Sequence, residues 1–408
     1  MEDTKKYDVS LDHIKEARGI LQNVVYKTGI VHNTTLSELS GNIIYLKMEN
    51  LQKTGSFKLR GAFNKIAHLS HEEKEHGVIA SSAGNHAQGV ALGATAYGIK
   101  STIVMPKHAP LAKVTATRSY GASVVLHGNV YDEAFAEALR LQKETGATFI
   151  HPFDDPLVIA GQGTIGLEIL EDLPDVDAIV VPIGGGGLIS GIAIAAKSLK
   201  PGIKIIGVQT KNMPSMAESI AQNKITTVDG IPTIADGIAV KTPGNLTFSI
   251  IQKYVDDIIT VDEDEIANAI LLLLERAKVV AEGAGAVPVA AALNRMGKYR
   301  DKKIVTVVSG GNIDVNMLSR IIDKGLVKSG RKIFIDTLIP DRPGTLWRLL
   351  NLIAETGANV LSVTHNRSIR DVAIGYARVE LELETVDEDH VKNIKNLLDE
   401  HNYTFTIL

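Results

Sequence analysis

At 408 residues the chain is long enough for two or three domains, and 45% hydrophobic and 22% charged residues are ordinary values for a soluble globular protein. A formal net charge of −4, with no basic runs interleaved by aromatics, gives no electrostatic reason to expect nucleic acid or an anionic membrane as partner. Cysteine is absent, which excludes disulfides, thiolate metal sites and a cysteine nucleophile, and suits the reducing cytoplasm as the expected location.

The first six residues are charged and lack an apolar h-region, so no secretory signal is expected there. Ser10 is placed to cap a first helix with Leu11, Ile14, Ala17, Ile20 and Leu21 on one face. Residues 43–48 read as a strand. Then comes Thr54-Gly55-Ser56-Phe57-Lys58-Leu59-Arg60-Gly61-Ala62, in which Ser56 is the N-cap candidate and Phe57, Phe63, Ile66, Ala67 and Leu69 recur at helical spacing. Lys58 falls in the first turn of that helix, just behind a strand end. A short strand at 78–80 leads into Ser81-Ser82-Ala83-Gly84-Asn85-His86-Ala87-Gln88-Gly89, followed by a helix over 90–97. A strand at 101–105, a helix at 113–120, a strand at 124–126 and a helix at 132–145 follow. This alternation predicts a parallel sheet covered by helices on both faces.

The second half repeats the pattern. A helix is predicted over 157–173, a strand over 179–183, then Gly184-Gly185-Gly186-Gly187-Leu188, then a strand over 203–208. Asp262 and Glu265 form a capping pair ahead of a long helix running through 271–274. A strand at 304–308 ends at Ser309-Gly310-Gly311-Asn312. Residues 178–196 carry no charge and imitate a membrane span, but Pro182 and the glycine quartet interrupt them, and a strand, a loop and a buried helix explain them better. Two doubly wound lobes facing a cleft would gather the loops at the strand C-termini, where open α/β sheets bind ligands. Residues 326–331, within a polar glycine-bounded stretch, read as a linker between a region 1–325 and a tail 332–408. The tail is strand 332–338, helix 345–356, strand 360–368, strand 372–382, helix 387–399 and strand 403–408, the ferredoxin-like βαββαβ order.

Four features carry candidate chemistry. Near a helix N-terminus a cation is disfavoured by the helix dipole, so Lys58 is placed for the neutral amine a Schiff-base lysine needs; position alone favours a plain surface lysine, since lysines are plentiful and the dipole effect is small. The glycine quartet between a buried strand and a helix offers bare backbone amides for a phosphate, or is simply a tight packing loop. Asn85 at a helix start can donate to a phenolate oxygen and stack on a ring, or serve as an ordinary cap. Ser309 at a strand end can meet a pyridine nitrogen, or cap the next helix.

The string around Lys58 resembles the cofactor-lysine motif of pyridoxal-phosphate enzymes of the tryptophan-synthase-β class (fold type II), and within it the threonine/serine dehydratases. The likeness runs from about residue 5 to residue 325. It implies that Lys58 holds pyridoxal 5′-phosphate covalently and that its freed amine takes the substrate Cα proton. It implies that Gly184, Gly185, Gly186, Gly187 and Leu188 hold the phosphate, that Asn85 meets the 3′-oxygen, and that Ser309 faces the ring nitrogen. The loop amides from Ser82 to His86 are implied to take the substrate carboxylate, the His86 backbone mattering more than its ring. The implied reaction is β-elimination of L-threonine to 2-oxobutanoate and ammonia, and of L-serine to pyruvate. The stretches 235–240 and 281–286 also resemble the dehydratases, with Glu282 near the cofactor. β-Replacement is the alternative chemistry on the same fold, and Asn85-His86 points away from it.

Asp341-Arg342-Pro343-Gly344-Thr345-Leu346 resembles the ACT-domain signature. That implies an effector site, with isoleucine or valine, or AMP or ADP, as candidates, or else a purely structural dimerisation module; a homodimer or homotetramer is expected. Two departures are informative. Serine racemases of this fold carry a serine acid/base where this chain has Ala83, so one-face chemistry is implied. Their divalent-cation carboxylates are replaced here by Gln209 and Ser215, so no divalent metal is expected and only a monovalent site is left open.

Overall fold

The runs at Ala178–Pro182 and Lys303–Val307 are apolar on both faces, the pattern of central parallel strands. In the computed structural model, which describes residues 9–368 and 370–407, they are the middle of a six-stranded sheet. Its order is Ile30–His32, Ile43–Lys47, Lys303–Val307, Ala178–Pro182, Lys204–Thr210, Asp257–Val261, all parallel except the first strand. The strand expected to feed Lys58 therefore pairs with the strand that ends near Ser309. A second sheet, all parallel, has the order Ser123–Leu126, Ser101–Met105, Val78–Ser81, Thr148–Phe149. These are the two expected lobes, each with its own core. The stretch 178–196 is split as expected, and among the described residues no helix is long and apolar enough to cross a membrane.

The chain divides into a compact unit ending at Ile313 and a second from Asp314. The expected linker is different in the structure. The helix Val315–Lys328, capped by Asp314, runs through its first half, because the stretch is amphipathic and Gly325 is tolerated inside the helix. The second unit closes with an antiparallel sheet in the order Asn359–Asn366, Tyr376–Glu384, Lys332–Pro340, Phe405–Ile407. Helices Thr345–Glu355 and Glu388–Glu400 lay Leu349, Ile353, Val391, Ile394 and Leu398 on one face of it. The ferredoxin-like order holds, although its third strand starts at Tyr376 rather than 372. Residues 1–6 and Leu408, the end of the expected last strand, lie outside the described residues.

Helix Lys58–Ala67 is anchored by charges that no periodicity reveals. Arg60 is fully buried. It donates to both Glu49 oxygens at 2.8 Å, to Glu168 at 2.6 and 3.0 Å, and to Thr164 Oγ1 at 3.1 Å. Lys47, also fully buried, donates to Glu168 and to the Thr28 carbonyl, each at 2.6 Å, and Thr28 Oγ1 donates to Glu49. Two cations and two carboxylates thus neutralise one another at the junction of strand Ile43–Lys47, helix Lys58–Ala67 and helix Pro156–Asp172. Burial alone would push the Glu49 carboxyl up; the charge and hydrogen bonds of Arg60, with Lys47 and Thr28, hold it below its ordinary value.

Removing one member strands the others. Arg60→Ala is expected to cost about 3–5 kcal/mol of unfolding free energy in urea denaturation, because two carboxylates stay buried without their fork. Since the Glu49 pKa is lowered on folding, its contribution is full above the ordinary carboxylate range and fades as the pH falls below it. The deficit of the variant should accordingly shrink in acid; a deficit independent of pH would contradict this account.

Candidate active site

Lys58 is the first residue of its helix, but Ser56 is not the cap. Phe57 takes the capping position with helical backbone angles, and the buried Ser56 Oγ has no hydrogen-bond partner among the described residues. The turn is held instead by the glycine-rich end of the neighbouring strand of the same sheet. Phe57 N donates to the Ser309 carbonyl at 3.1 Å, Gly311 N donates to the Gly55 carbonyl at 2.9 Å, and Ser56 bridges Gly310. Ser309 itself is 2% exposed. The long-range pairing of two parallel strands is therefore what sets Lys58 beside Ser309. The Lys58 Nζ donates to the Pro152 carbonyl at 3.0 Å. Burial pushes its pKa down to about 8, against the opposing pull of the negative Glu282. A neutral amine is accessible just above neutrality, the state a nucleophile and base requires.

Pro152 is followed by Phe153, which lies against the glycine loop. A Cβ at Gly185 would collide with the Phe153 ring, and Thr247 Oγ1 donates to the Gly185 carbonyl at 2.7 Å. Gly186 takes φ +98° and caps helix Gly187–Leu199. The glycines pack tightly from one side, and the quartet opens a helix N-terminus whose first amides, including that of Leu188, have no intrahelical partner; the Leu188 side chain is buried in the core.

Helix Asn85–Ala96 begins five residues before the expected 90–97, which makes Asn85 its first residue. Asn85 Nδ2 donates to Glu282 Oε1 at 2.7 Å, and Asn85 Oδ1 accepts from Asn312 Nδ2 at 2.7 Å. His86 is buried, its Nε2 bonded to the Ile150 carbonyl at 2.8 Å. Burial and the nearby Lys58 push its pKa down to about 3, so the ring is neutral and structural while its backbone amide lies in the open first turn. Ser82 departs from expectation. Its amide is spent on the Val104 carbonyl at 3.2 Å and its Oγ accepts from Gly84 N at 3.2 Å, so it shapes the turn and has no free amide for a carboxylate.

Gln209 and Ser215 are both engaged inside the protein. Gln209 bridges the Ile183 carbonyl and Ala217 N, and Ser215 Oγ donates to the Val240 carbonyl at 2.6 Å. Among the described residues no group of three or more His, Cys, Asp or Glu side chains is placed to hold a metal ion. Sequence reading missed Phe153, Thr247, Asn312 and the Arg60 cluster as parts of the site's support. Only Arg60 and Asn312 carried a signal, lying inside strings already singled out; the others act across gaps that local spacing cannot report.

The lowered amine, the bare loop before a helix N-terminus, the amide of Asn85 and the buried neutral hydroxyl of Ser309 suit the aldehyde, phosphate, phenolate and ring nitrogen of pyridoxal phosphate. The fold and site thus define a pyridoxal-phosphate enzyme of the two-lobed α/β type. A family model described as pyridoxal-phosphate dependent enzyme matches residues 21–310, and one described as ACT domain matches residues 333–400. The chain belongs to the pyridoxal-phosphate dependent enzymes, with a C-terminal ACT domain. It is 62% identical, over 98% of its length and 100% of the relative's, to an L-threonine ammonia-lyase of Thermotoga maritima. It is 52% identical, over 77% of this chain and 96% of the relative, to the Escherichia coli K12 protein named L-threonine dehydratase catabolic TdcB. The solved structure of maize serine racemase superposes with a TM-score of 0.74 at 39% identity, covering 79% of this chain and 99% of that one.

Gly185→Ala drives a methyl group into the Phe153 ring and is expected to cost about 1–3 kcal/mol in urea denaturation, with weakened retention of pyridoxal phosphate on dialysis. An unchanged unfolding midpoint would mean that the ring swings aside freely and does not clamp the loop.

Proposed function

We propose that this chain converts L-threonine to 2-oxobutanoate and ammonia by β-elimination, and L-serine to pyruvate by the same route. The observation that carries the reading is the near full-length 62% identity to a protein named L-threonine ammonia-lyase, joined to a Lys58 amine whose burial makes it a base near neutral pH. Pyridoxal phosphate, when bound, supplies the electron sink for charge at the substrate Cα.

The chain's own residues do the rest. Lys58 holds the cofactor before the reaction and, once freed, takes the Cα proton. The amides of Gly184, Gly185, Gly186, Gly187 and Leu188 hold the phosphate. Asn85 donates to the ring oxygen. The open first-turn amides beginning at Asn85 and His86 receive the substrate carboxylate. Ser309 offers a neutral hydroxyl to the ring nitrogen, which leaves the sink weak and suits elimination, where the negative charge is consumed by departure of the hydroxyl group. The released enamine hydrolyses in water to the 2-oxo acid and ammonia.

The ACT domain, matched over residues 333–400, is the regulatory part of this reading. A branched-chain amino acid, isoleucine or valine, is the effector we favour over AMP or ADP, because an ACT-domain match covers residues 333–400. Association into a homodimer or homotetramer is supported by apolar side chains left open on this unit, Trp347 at 67% exposure and Leu361 and Val363 on the edge strand Asn359–Asn366. The reading carries with it a cytoplasmic location, where free amino acids are metabolised.

Two measurements test it. Purified protein with L-threonine should form 2-oxobutanoate, and Lys58→Ala should lower kcat by about 10³-fold or more; cofactor retained with no keto acid from either substrate would overturn the reaction. Isoleucine should change the threonine KM by about 5–150-fold, the usual range of allosteric coupling, with AMP and ADP inert. The reverse pattern would reassign the effector and leave the reaction untouched.

A further inference from the structure

The Asn85 amide is held from both sides by groups of opposite hydrogen-bonding character. A carboxylate only accepts and an NH₂ only donates, so Glu282 must face Nδ2 and Asn312 Nδ2 must face Oδ1. The second Asn312 hydrogen goes to the Thr54 carbonyl at 2.8 Å, four residues before Lys58, which fixes that amide in turn. Asn85 is left with one N–H not committed to this chain of bonds. Glu282 is 6% exposed, starts helix Gly283–Asn294, and donates its own backbone N–H to the Gly310 carbonyl at 3.0 Å. Room for its carboxylate exists because residue 310 is glycine: a Cβ there would collide with Glu282 Oε1 and come within 3.2 Å of Asn85 Nδ2.

We propose that Glu282 is a positioning residue for the elimination, holding the Asn85 amide in the one orientation that leaves an N–H free for the cofactor ring oxygen. This rests on the reading that Asn85 meets the cofactor. The charged groups around Glu282 come from three elements: Lys58 on its helix, Asp236 on the turn Asp236–Ile238, and Lys113 on helix Leu111–Ser119, which pairs with Asp236 at 3.0 Å. Burial, reinforced by Asp236, pushes the Glu282 carboxyl up to about 7, while Lys113, Asn85 and Lys58 pull it down. Glu282 in turn raises the Lys58 amine. The same carboxyl that orients the amide therefore also favours the protonated state of the lysine nitrogen, and replacing it without a charge should lower the pH at which that nitrogen loses its proton.

The test uses the holoenzyme and compares wild type, Glu282→Ala and Glu282→Gln. The readouts are pyridoxal phosphate Kd by dialysis, the pH titration of the bound cofactor's visible absorption, and kcat with L-threonine. Glu282→Ala should weaken cofactor binding about tenfold, the order of one hydrogen bond to a charged group, and lower kcat. Glu282→Gln keeps an acceptor for Asn85 but no charge, so its Kd should stay within about threefold of wild type while its titration midpoint moves to lower pH. A wild-type Kd and an unmoved midpoint in both variants would overturn the proposal, even with lowered melting temperatures. Should Glu282→Ala fail to fold, Glu282→Asp, whose shorter side chain draws the acceptor away from Asn85, takes its place in the Kd comparison with the same expected loss. Wild type that binds the cofactor but forms no keto acid would count against the proposed reaction and not against this one.

Discussion

The buried fork of Arg60 between Glu49 and Glu168 is the constraint on which the catalytic geometry depends. It ties three elements from separate parts of the chain: the segment after strand Ile43–Lys47, the helix that starts at Lys58, and helix Pro156–Asp172. With Lys47 the cluster is neutral in sum, so each charge is compensated where water cannot reach. Bidentate pairing fixes angle as well as distance, which a hydrophobic contact does not. Lys58 sits two residues from Arg60, and a lysine anchored this close to a rigid fork has little freedom at its backbone.

The site itself is a balance between burial and charge. Burial drives Lys58 toward the neutral amine and Glu282 toward the neutral acid, while each group, through its charge, favours the ionised form of the other. The two pKa values are brought close to neutrality from opposite sides, about 8 and about 7. Deep burial and the nearby Lys58 keep His86 neutral, and its Nε2 is engaged by the Ile150 carbonyl. The glycine quartet meets a second demand. It packs hard against Phe153 and Thr247 on the protein side and keeps its helix-end amides bare.

The C-terminal unit is governed by a simpler rule. Its sheet buries one face under two amphipathic helices and keeps a charged second face, with Arg378 beside Asp336 and Lys332 beside Glu382. Such a layer can stand by itself, which agrees with its own family match over 333–400.

Much of this was legible in the sequence. The two α/β lobes and the βαββαβ tail follow from apolar periodicity, whereas Lys58, the glycine loop and Ser309 stand out only because the strings that hold them resemble those of a known family. Helix edges were less legible: small residues hid the start of helix Asn85–Ala96, and an internal glycine and polar flanks made the end of helix Val315–Lys328 look like a linker. What tertiary structure alone decided is which residues meet. Parallel pairing of Ile43–Lys47 with Lys303–Val307 sets Lys58 beside Ser309, and the packing of lobe on lobe gives Asn85 its partners Glu282 and Asn312 and gives Arg60 its two carboxylates. Spacing along a chain reports which face a side chain takes; hydrogen bonds and charges between residues some two hundred positions apart exist only once the chain has folded, and they set which way an amide points and which state an amine holds.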